Sequence, residues 1–189
     1  MRVEALDPAR IGETNEHLAR HVHESGRFGV HWLPYDPQTM PSPPSVNESG
    51  LHRDFDEVGW ERWYVVINKS DQIVGHLSLT GGRFDRGLHR CELGMGLEHP
   101  YWRRGLGTEL LTEAIAYARQ IPTVDWLDLR VIGINTPGLH LYRRMGFTEI
   151  SRVPDFCRID GAPVDDVFMS IRVDKAASDG DRPGSGSDS

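Results

Sequence analysis

The sequence predicts a single α/β domain built on a mixed, mostly antiparallel central sheet flanked by helices. Three observations lead there. WYVVIN (63–68) and QIVGHLSLTG (72–81) are strand-like runs joined by the polar turn KSD, which makes them an antiparallel hairpin. RCELGMGLE (90–98) alternates with period two, Cys91, Leu93, Met95 and Leu97 on one face and Arg90, Glu92, Gly94, Gly96 and Glu98 on the other. The chain then switches to the helical period, with Leu110, Leu111, Ala114, Ile115 and Ala118 forming the stripe of a helix that lies on a sheet.

Taken in order, Val3 to Leu6 is a candidate first strand. Asp7-Pro8 then opens a helix to about Ser25, with an N-cap carboxylate and proline at the first helical position. Glu13, His17 and His21 recur at intervals of four on that helix. Without an H-E-x-x-H arrangement or a fourth ligand, they read as a solvated face rather than a metal site. Residues 26–46 hold five prolines and three aromatics, too broken for a regular element, and are expected to roof a substrate site. Ser45 to Glu48 has capping-box spacing, and Leu51, Phe55 and Val58 suggest a short amphipathic helix after it. In the second strand of the hairpin, Ile73, Leu77 and Leu79 share one face, with Val74, His76 and Ser78 on the other.

After the central helix, WLDLRVIG (126–133) is a buried strand with Asp128 and Arg130 on one face. A short helix opens near Thr136-Pro137 and closes at Gly146. FTEISRV and VDDVFMSIRV are strand-like, Pro154 interrupts the first, and Asp160-Gly161 marks a hairpin between them. The domain is predicted over 1–173. The Gly-, Ser- and Asp-rich tail, 174–189, is expected to be disordered.

Composition narrows the function classes. A net charge of −7 argues against nucleic acid as a partner, and no apolar run approaches a membrane span. The start, MRVEALDPAR, lacks a basic segment followed by an apolar one, so the expected location is cytoplasmic. Cys91 and Cys157 lack C-x-x-C spacing and read as small buried residues, not as a disulfide or metal site. The expected assembly is a monomer or homodimer.

The most informative stretch is HPYWRRGLGTELLTEAIAYARQ (99–120). Gly105 and Gly107 allow a tight turn whose N–H groups meet an anion at the positive end of the helix that follows. No G-x-x-x-x-G-K-[ST] is present, and Leu110 breaks G-x-G-x-x-G, so the two commoner nucleotide motifs are excluded. A bare G-x-G also serves purely structural turns.

Hairpin, LGMGL strand, WRRGLG turn and helix, LDLRV strand, then Asn135 with LYRRMGF: in this order the chain resembles the GNAT superfamily of acetyl-CoA-dependent N-acetyltransferases over about residues 1–173. Two departures stand out. Trp102 occupies a loop position usually held by Gln or Arg. Arg130 stands where some members that acetylate ribosomal-protein N-termini carry a catalytic glutamate, so that base is not carried over. The resemblance implies acetyl-CoA as co-substrate, no metal, and an amine acceptor, either a small molecule or a protein N-terminus. It gives the pyrophosphate to Arg103, Arg104, Gly105, Leu106, Gly107 and Thr108, and the pantetheine arm to backbone groups near Met95 and Leu97 and to Asn135. A non-catalytic acyl-CoA-binding module that signals to a partner is the alternative, disfavoured by the presence of Glu92 and Tyr142.

The chemistry requires an uncharged amine, and an alkylammonium of pKa ~10.4 must first lose a proton. Glu92 is the leading candidate base because it points with Gly94 and Gly96. Asp128 is second and His76 third, and the structural alternative pairs Glu92 with Arg90 or Arg130. Tyr142, on the helix that the resemblance packs beside the thioester, is the candidate general acid. A phenol of pKa ~10 is protonated at neutral pH and can donate to the leaving thiolate. The structural alternative for Tyr142 is core packing with its hydroxyl tied to the backbone.

Overall fold

The period-two and helical patterns fold largely where they predict. The computed structural model describes residues 1–40 and 42–173, so the expected disordered tail, 174–189, lies outside the described residues. The elements are β1 (Arg2–Ala5), α1 (Ile11–Glu24), α2 (Glu48–Leu51), β2 (Glu61–Ile67), β3 (Ile73–Gly81), β4 (Arg90–Leu97), α3 (Leu106–Ala118), β5 (Trp126–Ile132), α4 (Thr136–Arg144), β6 (Thr148–Ile159) and β7 (Ala162–Arg172). Among the described residues the strands form one seven-stranded sheet in the order β1-β2-β3-β4-β5-β7-β6. β4 and β5 are its parallel pair; the other neighbours are antiparallel.

Helix α3 covers one face. Its Leu110, Leu111, Ala114 and Ala118 are fully buried and share a core with Leu77, Leu79, Cys91, Leu93, Leu127 and Leu129. Helix α1 lies on the opposite face, where Leu18 packs with Trp63 and Val46. Asp7 caps as predicted, its carboxylate accepting the Ala9 N–H at 2.9 Å, and a 3₁₀ turn at Pro8–Arg10 leads into α1.

Several local readings are corrected. Between 45 and 58 only Glu48–Leu51 is helical; its N-cap is Asn47, with no side-chain cap bond, and Phe55 reaches the core from the turn beyond. A bulge shifts the β2–β3 register so that Ile67 pairs with Ile73 and Val66 with Gly75. The extra residue reverses the alternation. Val74 therefore joins Leu77 in the main core, whereas Ile73 packs with Val65 and Ile67. Pro154 does not end β6 but sits in a register shift between Val153 and Cys157, as an edge strand permits.

The feature that shapes the functional region is how briefly β4 and β5 touch. They pair only at Arg90↔Trp126, Cys91↔Leu127 and Glu92↔Asp128, after which β4 continues along β3 to Leu97 and β5 along β7 to Ile132. At the closed end of this gap the Arg90 guanidinium grips the Asp128 carboxylate twice, at 2.6 and 2.5 Å, and the Ser170 hydroxyl of β7 donates to it at 2.6 Å. Asp128 is thus a structural clamp across three strands, not an available base. Asp128→Ala should destabilise the fold by roughly 3 kcal/mol in urea unfolding, because the guanidinium and hydroxyl lose a buried partner. A loss under about 1 kcal/mol would show that the clamp does not hold the strands.

Candidate active site

On the α3 side, the helix starts at Leu106 with Gly105 at its N-cap, φ +82°, a left-handed conformation that favours glycine. No side chain caps it, and the first helical bond runs from the Glu109 N–H to the Gly105 carbonyl. The N–H groups of Leu106, Gly107 and Thr108 therefore precede the helical ladder at its positive end. The two glycines have different reasons. A β-carbon on Gly105 would meet nothing within 4 Å, so space is not the constraint there; one on Gly107 would stand 3.0 Å from Leu141 and 3.5 Å from Met95. Arg103 and Arg104 are exposed at this turn. Arg144 joins them from α4, donating to the Thr108 hydroxyl at 2.8 Å. Sequence reasoning missed Arg144, whose signal was only its place in the last turn of α4.

Met95 and Leu97 border the gap. The Glu98 N–H bonds back to Val74 at 3.0 Å, so the ladder alternation turns the even-numbered β4 residues to β3. The backbone groups of Leu93, Met95 and Leu97 therefore face the gap, and the Leu97 carbonyl accepts the Trp102 indole N–H there at 2.7 Å. Across the gap, Asn135 caps α4, its Oδ1 accepting the Gly138 N–H at 3.0 Å. Tyr142 of α4 is buried edge-to-face against Phe147, and burial pushes its phenol up to about 12.

The opposite side of β4 carries Glu92, Gly94 and Gly96. Glu92 is half exposed and meets Arg83 at 3.3 Å, not Arg90 or Arg130, which are held by Asp128 and Asp166. It lines a cleft of about 310 Å³ with Arg83, Phe84, Asp128, Arg130 and Phe168. Glu92 and Tyr142 thus approach the gap from opposite faces of the sheet and are not neighbours. Gly94 is exposed, leaving an open floor between Glu92 and Gly96. Above Gly96 stand the imidazoles of His21 and His76, against which any β-carbon there would collide.

The expectation of a solvated face on α1 is overturned. His17 is fully buried and His21 nearly so, and with Thr14, Leu18 and Val22 they form the inward stripe of the helix. Polar residues took helix-core positions, so a hydrophobicity pattern missed them. His17 Nδ1 meets Glu98 at 2.8 Å and its Nε2 meets His76 Nδ1 at 3.0 Å. Trp32, from the 26–46 loop, stacks on His21 at 4.7 Å and lies edge-on to Trp102 at 5.8 Å, so that loop covers the histidines at the open end of the gap. Burial, then the neighbouring His17, lowers His21 to about 3, and burial with both neighbouring histidines holds His76 well below the usual range. Among the described residues no group of three or more His, Cys, Asp or Glu side chains is arranged to hold a metal, and no helix is long and apolar enough to cross a membrane.

Comparison with known proteins adds three results. The family model described as the acetyltransferase (GNAT) family matches residues 30–147. The L-amino acid N-acetyltransferase AaaT of Escherichia coli (strain K12) is 26% identical over 98 residues, 52% of this chain and 60% of its own length. Among solved structures, the GNAT-family acetyltransferase from Streptococcus pneumoniae superposes with a TM-score of 0.76 at 19% identity, covering 92% of this chain and 99% of that one. The yncA acetyltransferase from Salmonella typhimurium, solved with its cofactor acetyl-CoA, gives 0.69 at 18% identity, covering 94% and 96%.

The buried histidines make stability depend on pH. Below an unfolded-state pKa of about 6.5 the unfolded chain takes up protons that His21, at about 3, and His76 refuse in the folded state. Stability is therefore present in full above about pH 6.5 and falls on acidification, by roughly 1.4 kcal/mol per pH unit for each neutral imidazole. Urea unfolding at about pH 7 and about pH 5 reads this directly. A flat profile over that interval would mean that these rings protonate in the folded state.

Proposed function

The chain belongs to the GNAT family of acetyltransferases, and we propose that it moves the acetyl group of acetyl-CoA onto a primary amine by direct attack in a ternary complex. The observation that carries this reading is the gap between β4 and β5, with the uncapped N-terminus of α3 beside its open end. The residues present fit acetyl-CoA. The N–H groups of Leu106, Gly107 and Thr108, with Arg103, Arg104 and Arg144 nearby, suit a pyrophosphate. The gap-facing backbone of Met95 and Leu97 suits the amide-bearing pantetheine arm, and the Asn135 amide nitrogen stays available as a donor while its oxygen caps α4.

Acetyl-CoA brings the activated thioester; the protein supplies position and proton traffic. Glu92 draws the acceptor ammonium into the cleft and takes its first proton, from a place open to solvent. Tyr142, kept protonated by burial, donates to the departing sulfur from the other face. The cleft volume suits a small amine better than a folded protein surface, and Arg83 beside Glu92 offers a contact for an anionic group on that amine. The name of the E. coli relative, an L-amino acid N-acetyltransferase, is in line with such an acceptor. Protein N-termini are the competing acceptors.

The test is thiol release from acetyl-CoA in the presence of amino acids, polyamines and N-terminal peptides. At least one amine should be acetylated, and Tyr142→Phe should lower kcat for it by roughly 10²-fold while acetyl-CoA affinity and melting stay near wild type. No acetylation of any amine would remove the reading, and unchanged kcat in Tyr142→Phe with chemistry limiting would remove the acid.

A further inference from the structure

Resting on the transfer reading above, we infer that Glu98, His17 and His76 form a proton relay. Its inner end, His76 Nε2, takes the proton that the acceptor nitrogen sheds after it has bonded to the acetyl carbon. The carboxylate sets the polarity of the whole chain. Glu98 follows β4 and is only 15% exposed; its Oε1 accepts from His17 Nδ1 at 2.8 Å and from Arg20 Nε at 3.0 Å. Burial pushes the Glu98 carboxyl up, but the hydrogen bonds from His17 and Arg20 outweigh it and hold the group below its usual range. In the relay His17 is neutral, and because an ionised carboxylate only accepts, its hydrogen sits on Nδ1 and a lone pair is left at Nε2. That lone pair, 3.0 Å from His76 Nδ1, requires the hydrogen of His76 to sit there. His76 Nε2 is left as a base.

Position and proton count agree with this. His76 pairs across the β3–β4 ladder with Gly96, and its ring lies against that glycine, between Met95 and Leu97 whose backbone faces the gap. The charged or titratable groups about it are His17 and His21 of α1 and, through His17, Glu98 and Arg20. His21 and His76 are neutral near pH 7, so neither of these rings repels an incoming proton.

In the reaction the ammonium loses one proton before attack, to Glu92. The N–C bond then forms and the nitrogen, positively charged again, must lose a second; the C–S bond breaks and sulfur gains one. Two protons leave nitrogen and one reaches sulfur, so each turnover releases one net. The second appears only beside the thioester carbon, at the gap, while Glu92 lies toward the closed end. A weakly basic imidazole suits it, because a nitrogen attached to a carbon bearing sulfur and oxygen is more acidic than the parent ammonium. His76 is the catalytic residue, and His17 and Glu98 are positioning residues that pass the proton outward.

Two measurements test the relay. Imidazole ¹⁵N spectra of the wild-type protein should show both His17 and His76 in the Nδ1–H form, and a hydrogen on Nε2 of either ring in the resting protein would overturn it. For kinetics with an amine found by thiol release, His76→Gln removes the base. His17→Gln keeps a donor toward Glu98 and an acceptor toward His76 yet cannot pass a proton. Each should lower kcat by about 10²-fold, leave acetyl-CoA affinity and acceptor KM within about twofold, and show no recovery as pH approaches the amine's pKa. Glu92→Gln should recover there, since the amine then arrives uncharged. Wild-type kcat in His76→Gln or His17→Gln would overturn the relay while leaving acetyl transfer standing. A wild-type protein silent toward every amine would overturn both.

Discussion

The clamp of Arg90 on Asp128, completed by the Ser170 hydroxyl, is the interaction on which the functional region depends. It ties β4, β5 and β7 at one end, so that their divergence beyond Glu92 becomes a wedge of fixed mouth rather than a frayed sheet. A strand edge left without a ladder partner is costly unless something else meets its N–H and C=O groups. Here the edge beyond the β5 ladder is that of Met95 and Leu97, its Leu97 carbonyl met by the Trp102 indole, and the N-terminus of α3 opens beside it with N–H groups that precede the helical ladder. Both sets of donors point to one polar, anionic, amide-bearing ligand.

The glycines of β4 divide the labour between the faces. Met95 and Leu97 send side chains toward α3, where they stand near the position a Gly107 β-carbon would take, and so help set how closely the helix approaches the strand. Gly94 and Gly96 send nothing the other way, which leaves a floor running from Glu92 to the buried imidazoles. An acceptor reaching the thioester from that floor meets a carboxylate first and a neutral histidine last. Tyr142, the proposed acid, sits across the sheet on α4, where burial pushes its phenol up to about 12. The gap separates this proposed acid from the proposed base, Glu92.

The elements legible in the sequence are those with one dominant period. The α3 stripe, the β2–β3 hairpin and the alternation of β4 appear where the pattern puts them, and the short helix opens at Thr136-Pro137 as expected, capped by Asn135. What escaped was decided by partners distant in sequence. His17 fills an interior position because Glu98 and His76 meet its two ring nitrogens, His21 stacks there on Trp32, and nothing local in α1 announces those partners. One bulge moves Ile73 to the other face of β3, and no residue type marks it. Asp128 looked like a candidate base until Arg90, 38 positions away, proved to hold it. The positive end of α3 was readable, but the third arginine at that end, Arg144, comes from α4.

The most direct measurement is amide hydrogen exchange with and without acetyl-CoA. If the wedge holds the arm and α3 the pyrophosphate, protection should rise at Met95, Leu97, Leu106, Gly107 and Thr108, with β1 and β2 unchanged. Unaltered exchange at those amides under saturating acetyl-CoA, or protection confined to residues about Arg83 and Phe84, would contradict the placement of the ligand in the gap.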